Sequence, residues 1–128
     1  MLLVFGEHDP LTPVAFGESM QARLPDSRLH VIPRAGHISN LEKPEEFNRV
    51  VLEFLRAYDA PTIYLVGDII DGWRLKKKFY WPAAHNDIVW RILKRAKRGT
   101  RIVYIPGNHD EVVRPFCGMN FGDVEIRR

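Results

Sequence analysis

Cysteine occurs once in these 128 residues, at Cys117. No internal disulfide can form, and a reducing compartment is the expectation that follows. No stretch approaches the ~20 consecutive apolar residues that a membrane span needs. The opening MLLVFGEHDP has too short an apolar run, and no basic leader, to read as a signal peptide. A cytoplasmic location is therefore expected. Serine is scarce too. Ser19, Ser27 and Ser39 are the only three, and none stands between two glycines at G-x-S-x-G spacing. Internal repeats and low-complexity segments are also missing.

What is present is ordinary in bulk and uneven in arrangement. Hydrophobic residues make up 45% and charged residues 27%, which places the chain among soluble globular proteins of one-domain size. The net charge of +3 hides a change of sign. Residues 1–60 carry six Lys/Arg against nine Asp/Glu, and residues 61–128 carry thirteen against seven. Such a change suggests two segments with different histories or partners. RILKRAKRGTR at 91–101 supplies six of the thirteen cations and reads as a solvated helix face rather than a nucleic-acid surface.

The pattern alternates short apolar runs with amphipathic stretches. LLVF (2–5), RLHVIP (28–33), TIYLVG (62–67) and RIVYIPG (101–107) read as strands, and FGDVEI (121–126) as an edge strand. Helices are expected over 13–24, 43–58 and 82–98, with a short one at 110–116. Pro13 and Pro44 stand at helix starts, and Glu45 and Glu46 suit the positive end of the helix dipole. Phe47, Val50, Val51, Phe54 and Leu55 share one helical face, as do Ile88, Ile92, Leu93 and Ala96. The expected class is α/β, a three-layer fold with a mainly parallel sheet built from βα units. Runs as apolar as LLVF, IYLV and IVYI suit strands buried on both faces. Functional residues of open parallel sheets gather beyond the carboxyl ends of the strands. GEHDP, RAGH, GDIID and GNHD follow successive strands, so one sheet would align them on one rim.

GEHDPLTP and IPRAGHISNLEKPEEF, in that order and about 28 residues apart, resemble the C-terminal part of the α/β-hydrolase family over residues 2–55. By that resemblance Asp9 is the acid and His37 the base of a catalytic triad, with the last helix following. A serine hydroxyl needs a base, and the base needs a carboxylate to hold its tautomer and stabilise its cation. The resemblance implies a nucleophile elbow upstream of both, which this sequence does not contain. Without the resemblance, Asp9 and His37 read as a turn aspartate and a loop histidine.

From about Leu52 to the C-terminus, GDIID and GNHDE, each after an apolar strand, resemble the calcineurin-like metallophosphoesterases, of the UDP-2,3-diacylglucosamine diphosphatase type. That resemblance implies a pair of divalent ions bridged by a carboxylate, with Mn²⁺ the leading expectation and Fe²⁺ or Zn²⁺ open, because such sites accept each of them. Asp68 would bridge them and Asn108 would bind one through its amide oxygen. His109 would face the phosphate as a catalytic group, Asp110 would orient His109, and Asp71 would close a turn. The family's earlier Asp-x-His and later Gly-His-x-His motifs are absent, and His8, His37 and Asp9 are candidates to replace the missing ligands.

DGWRLKKKFYWP (71–82) mixes aromatics with Arg74, Lys76, Lys77 and Lys78. It reads either as a surface for a phosphorylated lipid or anionic membrane, or as a loop with its aromatics packed beneath it. The expected partners are a phosphate-containing small molecule or lipid-linked diphosphate, a peripheral inner-membrane surface, and a second copy meeting exposed sheet edges, with no nucleic acid.

The two resemblances meet inside the helix near residues 51–56. The domains expected are 1–55, hydrolase-like, and 52–128, metallophosphoesterase-like, as a chimera of two truncated parents forming one compact unit. The leading functional expectation is a metal-dependent phosphoesterase related to lipid A synthesis, inactive in this incomplete form. The alternatives are a serine-hydrolase fragment lacking its nucleophile and a folded, non-catalytic chimera.

Overall fold

The run after Met1 forms β1 (Leu2–Gly6), and Arg28–Ile32 forms β2. They pair in parallel, Leu2 opposite Arg28 and Gly6 opposite Ile32. Parallel neighbours need a crossover, and α1 (Val14–Arg23) provides it, with Pro13 as its N-terminal boundary residue. After β2 come a single turn, α2 (Ser39–Glu42), and the amphipathic α3 (Pro44–Ala57). Val50 of α3 is buried, as are Leu3, Ile32 and Ala35. The His30 Nε2 to Glu46 Oε1 contact, 3.3 Å, ties β2 to the start of α3.

A second sheet follows. β3 (Thr62–Val66) pairs in parallel with β4 (Arg101–Ile105), and β4 with β6 (Val124–Ile126). β5 (Asn120–Phe121) closes the edge antiparallel to β6. α4 (Gly72–Lys77) and α5 (His85–Ala96) lie between β3 and β4, and a 3-10 helix (Glu111–Phe116) follows β4. The buried apolar residues here are Ala96, Ile102, Val103, Tyr104 and Ile126. The computed structural model describes residues 1–77 and 81–128, with Arg74 as backbone only. The chain divides into two compact units, Met1–Ala57 and Tyr58–Arg128. The mixed α/β class with parallel sheets is the expected one.

Several details differ from expectation. The strands form two sheets, not one, so no single sheet aligns GEHDP and RAGH with GDIID and GNHD on one rim. Only β4, the central strand, is buried along its middle. β3 is an edge strand and exposes Tyr64 and Val66, which alternation puts on the same face. FGDVEI is a hairpin rather than one strand, turning at Gly122, whose φ is +56°. On α5, Arg95 is buried while Leu93 is exposed, so the inward face is rotated from the one apolar spacing suggested.

Gly6 closes β1 where only hydrogen fits. A Cβ there would lie 2.2 Å from the Gly36 carbonyl oxygen and 2.6 Å from that of Ala35. Both obstacles are backbone and cannot rotate aside. Gly6→Ala is expected to cost about 3 kcal/mol through overpacking. A fall in the urea midpoint of the full chain measures it, and an unchanged midpoint would show that the loop yields freely.

Candidate active site

The close approach at Gly6 brings together the loops that follow the two parallel strands. Glu7 N donates to Ile32 O at 3.0 Å, and His8 N to Ala35 O at 2.8 Å. The Glu7 carboxylate accepts from Arg34 N at 2.7 Å, where Arg34 has a left-handed φ of 54°. These bonds lock the Asp9 turn against the His37 loop.

Asp9 is buried, its side chain 5% exposed, while that of His37 is 51% exposed. Asp9 Oδ1 accepts from Leu11 N at 2.8 Å and Thr12 N at 3.0 Å. Its Oδ2 faces Thr12 Oγ1 at 2.5 Å and His37 Nδ1 at 2.9 Å. Burial acts to raise the Asp9 pKa, but the bonds from Thr12, His37 and Leu11 outweigh it and hold the carboxyl well below the usual range. Asp9 is therefore a permanent anion at neutral pH. With its proton on Nδ1, the imidazole donates to that anion and keeps Nε2 as an acceptor. Glu42 clasps the loop on both sides of the base, accepting from Gly36 N at 2.7 Å and Ile38 N at 3.2 Å.

Thr12 and Glu42 were not singled out in the sequence. The signal for Thr12 was a hydroxyl residue three positions after a turn aspartate, a pattern suited to local side-chain bonds. Glu42 had no comparable signal, since its bonds depend on how the loop folds back. The three serines offer no nucleophile elbow. Ser19 lies on α1, Ser27 Oγ donates to Leu24 O, and Ser39 opens α2.

The second set of expected residues lies after β3 and β4, which sit side by side. Asp68 is exposed, in a left-handed conformation (φ 52°), and its Oδ1 accepts from His109 N at 2.8 Å. Gly107 allows this, because a Cβ there would lie 2.3 Å from that same oxygen. Asn108 is exposed. Asp110 is fully buried, accepting from Tyr104 Oη at 2.5 Å, from Ile69 N at 3.0 Å and from Gly107 N. It does not orient the His109 ring. That ring stacks on Trp73, with centroids 4.5 Å apart, and its Nδ1 lies 3.4 Å from Asp71. Lys76 and Lys77 are exposed at the end of α4. Lys78 lies outside the described residues, as does the side chain of Arg74.

A buried carboxylate after one strand is thus bonded to a half-exposed histidine after its parallel neighbour. Comparison with known proteins narrows the class. The sequence profile of the TAP-like protein family of α/β-hydrolases matches residues 1–65, and the chain belongs to that family. The 2-hydroxy-6-oxo-6-phenylhexa-2,4-dienoate hydrolase of Burkholderia cepacia is 41% identical over 54 residues, 42% of this chain and 19% of that protein. The 2-hydroxy-6-oxononadienedioate/2-hydroxy-6-oxononatrienedioate hydrolase of Comamonas testosteroni matches to the same extent. Serine hydrolase BPHL of Mus musculus is 40% identical over 55 residues, 43% of this chain and 19% of that protein. The chain thus spans about a fifth of the length of these relatives. No solved structure matches it.

These findings correct the leading expectation. The family and the relatives are α/β-hydrolases, whose acid–base chemistry needs no metal, and they lend no support to a metallophosphoesterase, a lipid A diphosphatase or a chimera containing one. The Mn²⁺ site does not fit either. Among the described residues, no three His, Cys, Asp or Glu side chains are grouped to hold an ion. The physical reason is visible in the turns. Both oxygens of Asp110, and Oδ1 of Asp68, accept from backbone amides that hold the two turns together. Among the described residues, no helix is long and apolar enough to cross a membrane.

Proposed function

We propose that this chain supplies the acid and base of an α/β-hydrolase site. Asp9 holds the His37 tautomer, and His37 Nε2 takes the proton from a serine-type nucleophile. The single observation behind this reading is the 2.9 Å bond between a buried, anionic Asp9 and the Nδ1 of the half-exposed His37. The three relatives named above are hydrolases by name, which supports the same class. The nucleophile lies outside these 128 residues, because none of their serines occupies an elbow.

The test is a graft. Residues 1–57 replace the matching segment of the Burkholderia cepacia hydrolase, and turnover of 2-hydroxy-6-oxo-6-phenylhexa-2,4-dienoate is measured. The graft is expected to turn over, and His37→Ala within it to lower kcat at least ~10³-fold. A folded graft whose activity ignores His37→Ala would sink the assignment. The 128-residue chain alone should not react with a fluorophosphonate probe.

A further inference from the structure

The basic stretch 91–101 is not a uniformly solvated face. Arg91, Lys94, Arg95 and Arg98 recur at i, i+3, i+4 and i+7, which puts them on one side of α5 and its C-terminal turn. They line a cavity of about 260 Å³ together with Asp59 and Thr100. That space is several times the ~30 Å³ share of one water. It lies before the first residues of β3 and β4, away from the turns that carry Asp68 and Asn108.

Two features distinguish this cluster from charge scattered on a surface. Arg95 is only 7% exposed, and its Nη2 donates to Tyr58 O at 2.6 Å and pairs with Asp59 at 2.9 Å. The cation forming the wall is therefore held in place. Beside it, Arg91 Nε is buried and has no hydrogen-bond partner among the described residues. An orphaned donor on a guanidinium is costly in a folded protein and calls for an acceptor. Asp59, with its side chain fully exposed, is the only carboxylate in the lining among the described residues, against four cations. The negative end of the helix dipole favours cations in the last turn. It offers no acceptor to Arg91 Nε, which lies more than a turn earlier.

We infer that this cavity is a binding site for a phosphate group, either inorganic phosphate or diphosphate or the phosphate of a larger molecule. A multiply charged tetrahedral oxyanion accepts from several directions at once, and planar guanidiniums grip such groups with paired N–H donors. A carboxylate brings one charge and satisfies fewer of the four cations. The site is independent of the Asp9–His37 pair and survives or fails apart from it.

The full chain, labelled for arginine side-chain and backbone amides, is titrated with pyrophosphate at constant ionic strength, with sodium chloride as the counter-titration. Saturable shifts of Arg91 Nε–H and the Thr100 amide at about millimolar pyrophosphate or below are expected, with none in chloride. The Arg91→Gln/Arg98→Gln double variant should bind at least about tenfold more weakly. Lys94→Gln, at an exposed position, provides a second reading that does not depend on packing, and its affinity should also fall. Phosphatidylcholine vesicles with and without phosphatidic acid distinguish the source. Binding confined to the phosphatidic-acid vesicles, and weakened by the same variants, assigns the site to a lipid headgroup. Binding of neither pyrophosphate nor vesicles, or binding that both variants leave intact, overturns the proposal.

Discussion

Asp110→Ala is expected to destabilise the second unit by about 3 kcal/mol or more. The carboxylate is fully buried and accepts from Tyr104 Oη, Ile69 N and Gly107 N. Alanine strands all three donors in the same small volume, and each buried orphan costs about 1–3 kcal/mol. Ile69 and Gly107 follow β3 and β4, so the loss also removes one of the ties between the two turns. The pH dependence has a definite sign. Burial acts to raise the Asp110 pKa, but the bonds from Tyr104 and from the amides of Ile69 and Gly107 help to pull it below its ordinary value of 3.8. A carboxyl depressed in the folded state stabilises it above the unfolded value and loses that contribution as pH falls through the folded one. The wild-type unit should therefore weaken as pH drops below about 4. The alanine variant should be weak at neutral pH and show less of this acid dependence. Thermal unfolding by circular dichroism at pH 7 and pH 3 measures both. Equal melting of variant and wild type at pH 7 would mean that the three donors find other acceptors.

The second large effect is at Asp9. In Asp9→Asn, one oxygen can still serve the Leu11 and Thr12 amides, but the amide nitrogen then faces His37 Nδ1. A donor opposite Nδ1 favours the tautomer with its proton on Nε2, which cannot accept a proton from a nucleophile. In Ser-His-Asp sites this substitution costs about 10⁴-fold in kcat through the wrong tautomer. The grafted enzyme should lose activity on that scale, and nitrogen chemical shifts of His37 should show Nε2–H. Retained activity with Nδ1–H would remove Asp9 from the orienting role. Asp9→Ala tests stability separately. It leaves the Leu11 and Thr12 amides without their acceptor and should lower the melting temperature by on the order of 5 °C or more. Asp9 is also depressed below its ordinary pKa, so its contribution too is present above about pH 4 and lost on acidification.

GEHDPLTP and IPRAGH are short-range patterns whose chemistry is written in residue type and order, so the acid and base could be named before the fold. GDIID and GNHD were equally visible, but their residues serve another purpose here. In two adjacent parallel strands, the loops after both must cross at close quarters. Asp68 and Asp110 accept from the amides of that crossing, and Gly107 leaves room for the Asp68 carboxylate. A carboxylate that holds a turn and one that holds a metal look alike in one dimension.

Residue order alone is enough for the α/β class, most of the long helices and strands, the absence of a nucleophile elbow, and the candidacy of Asp9 and His37. Periodicity, proline positions and residue chemistry are local properties, and they are sufficient for those conclusions. The folded chain was needed to show that the strands divide into two sheets, that Glu42 clasps the His37 loop, that Arg95 rather than Leu93 turns inward, and that the Asp68 and Asp110 carboxylates bind amides. Each of these depends on which distant backbone groups need a partner once the strands have paired. That need arises only when burial removes water as the alternative.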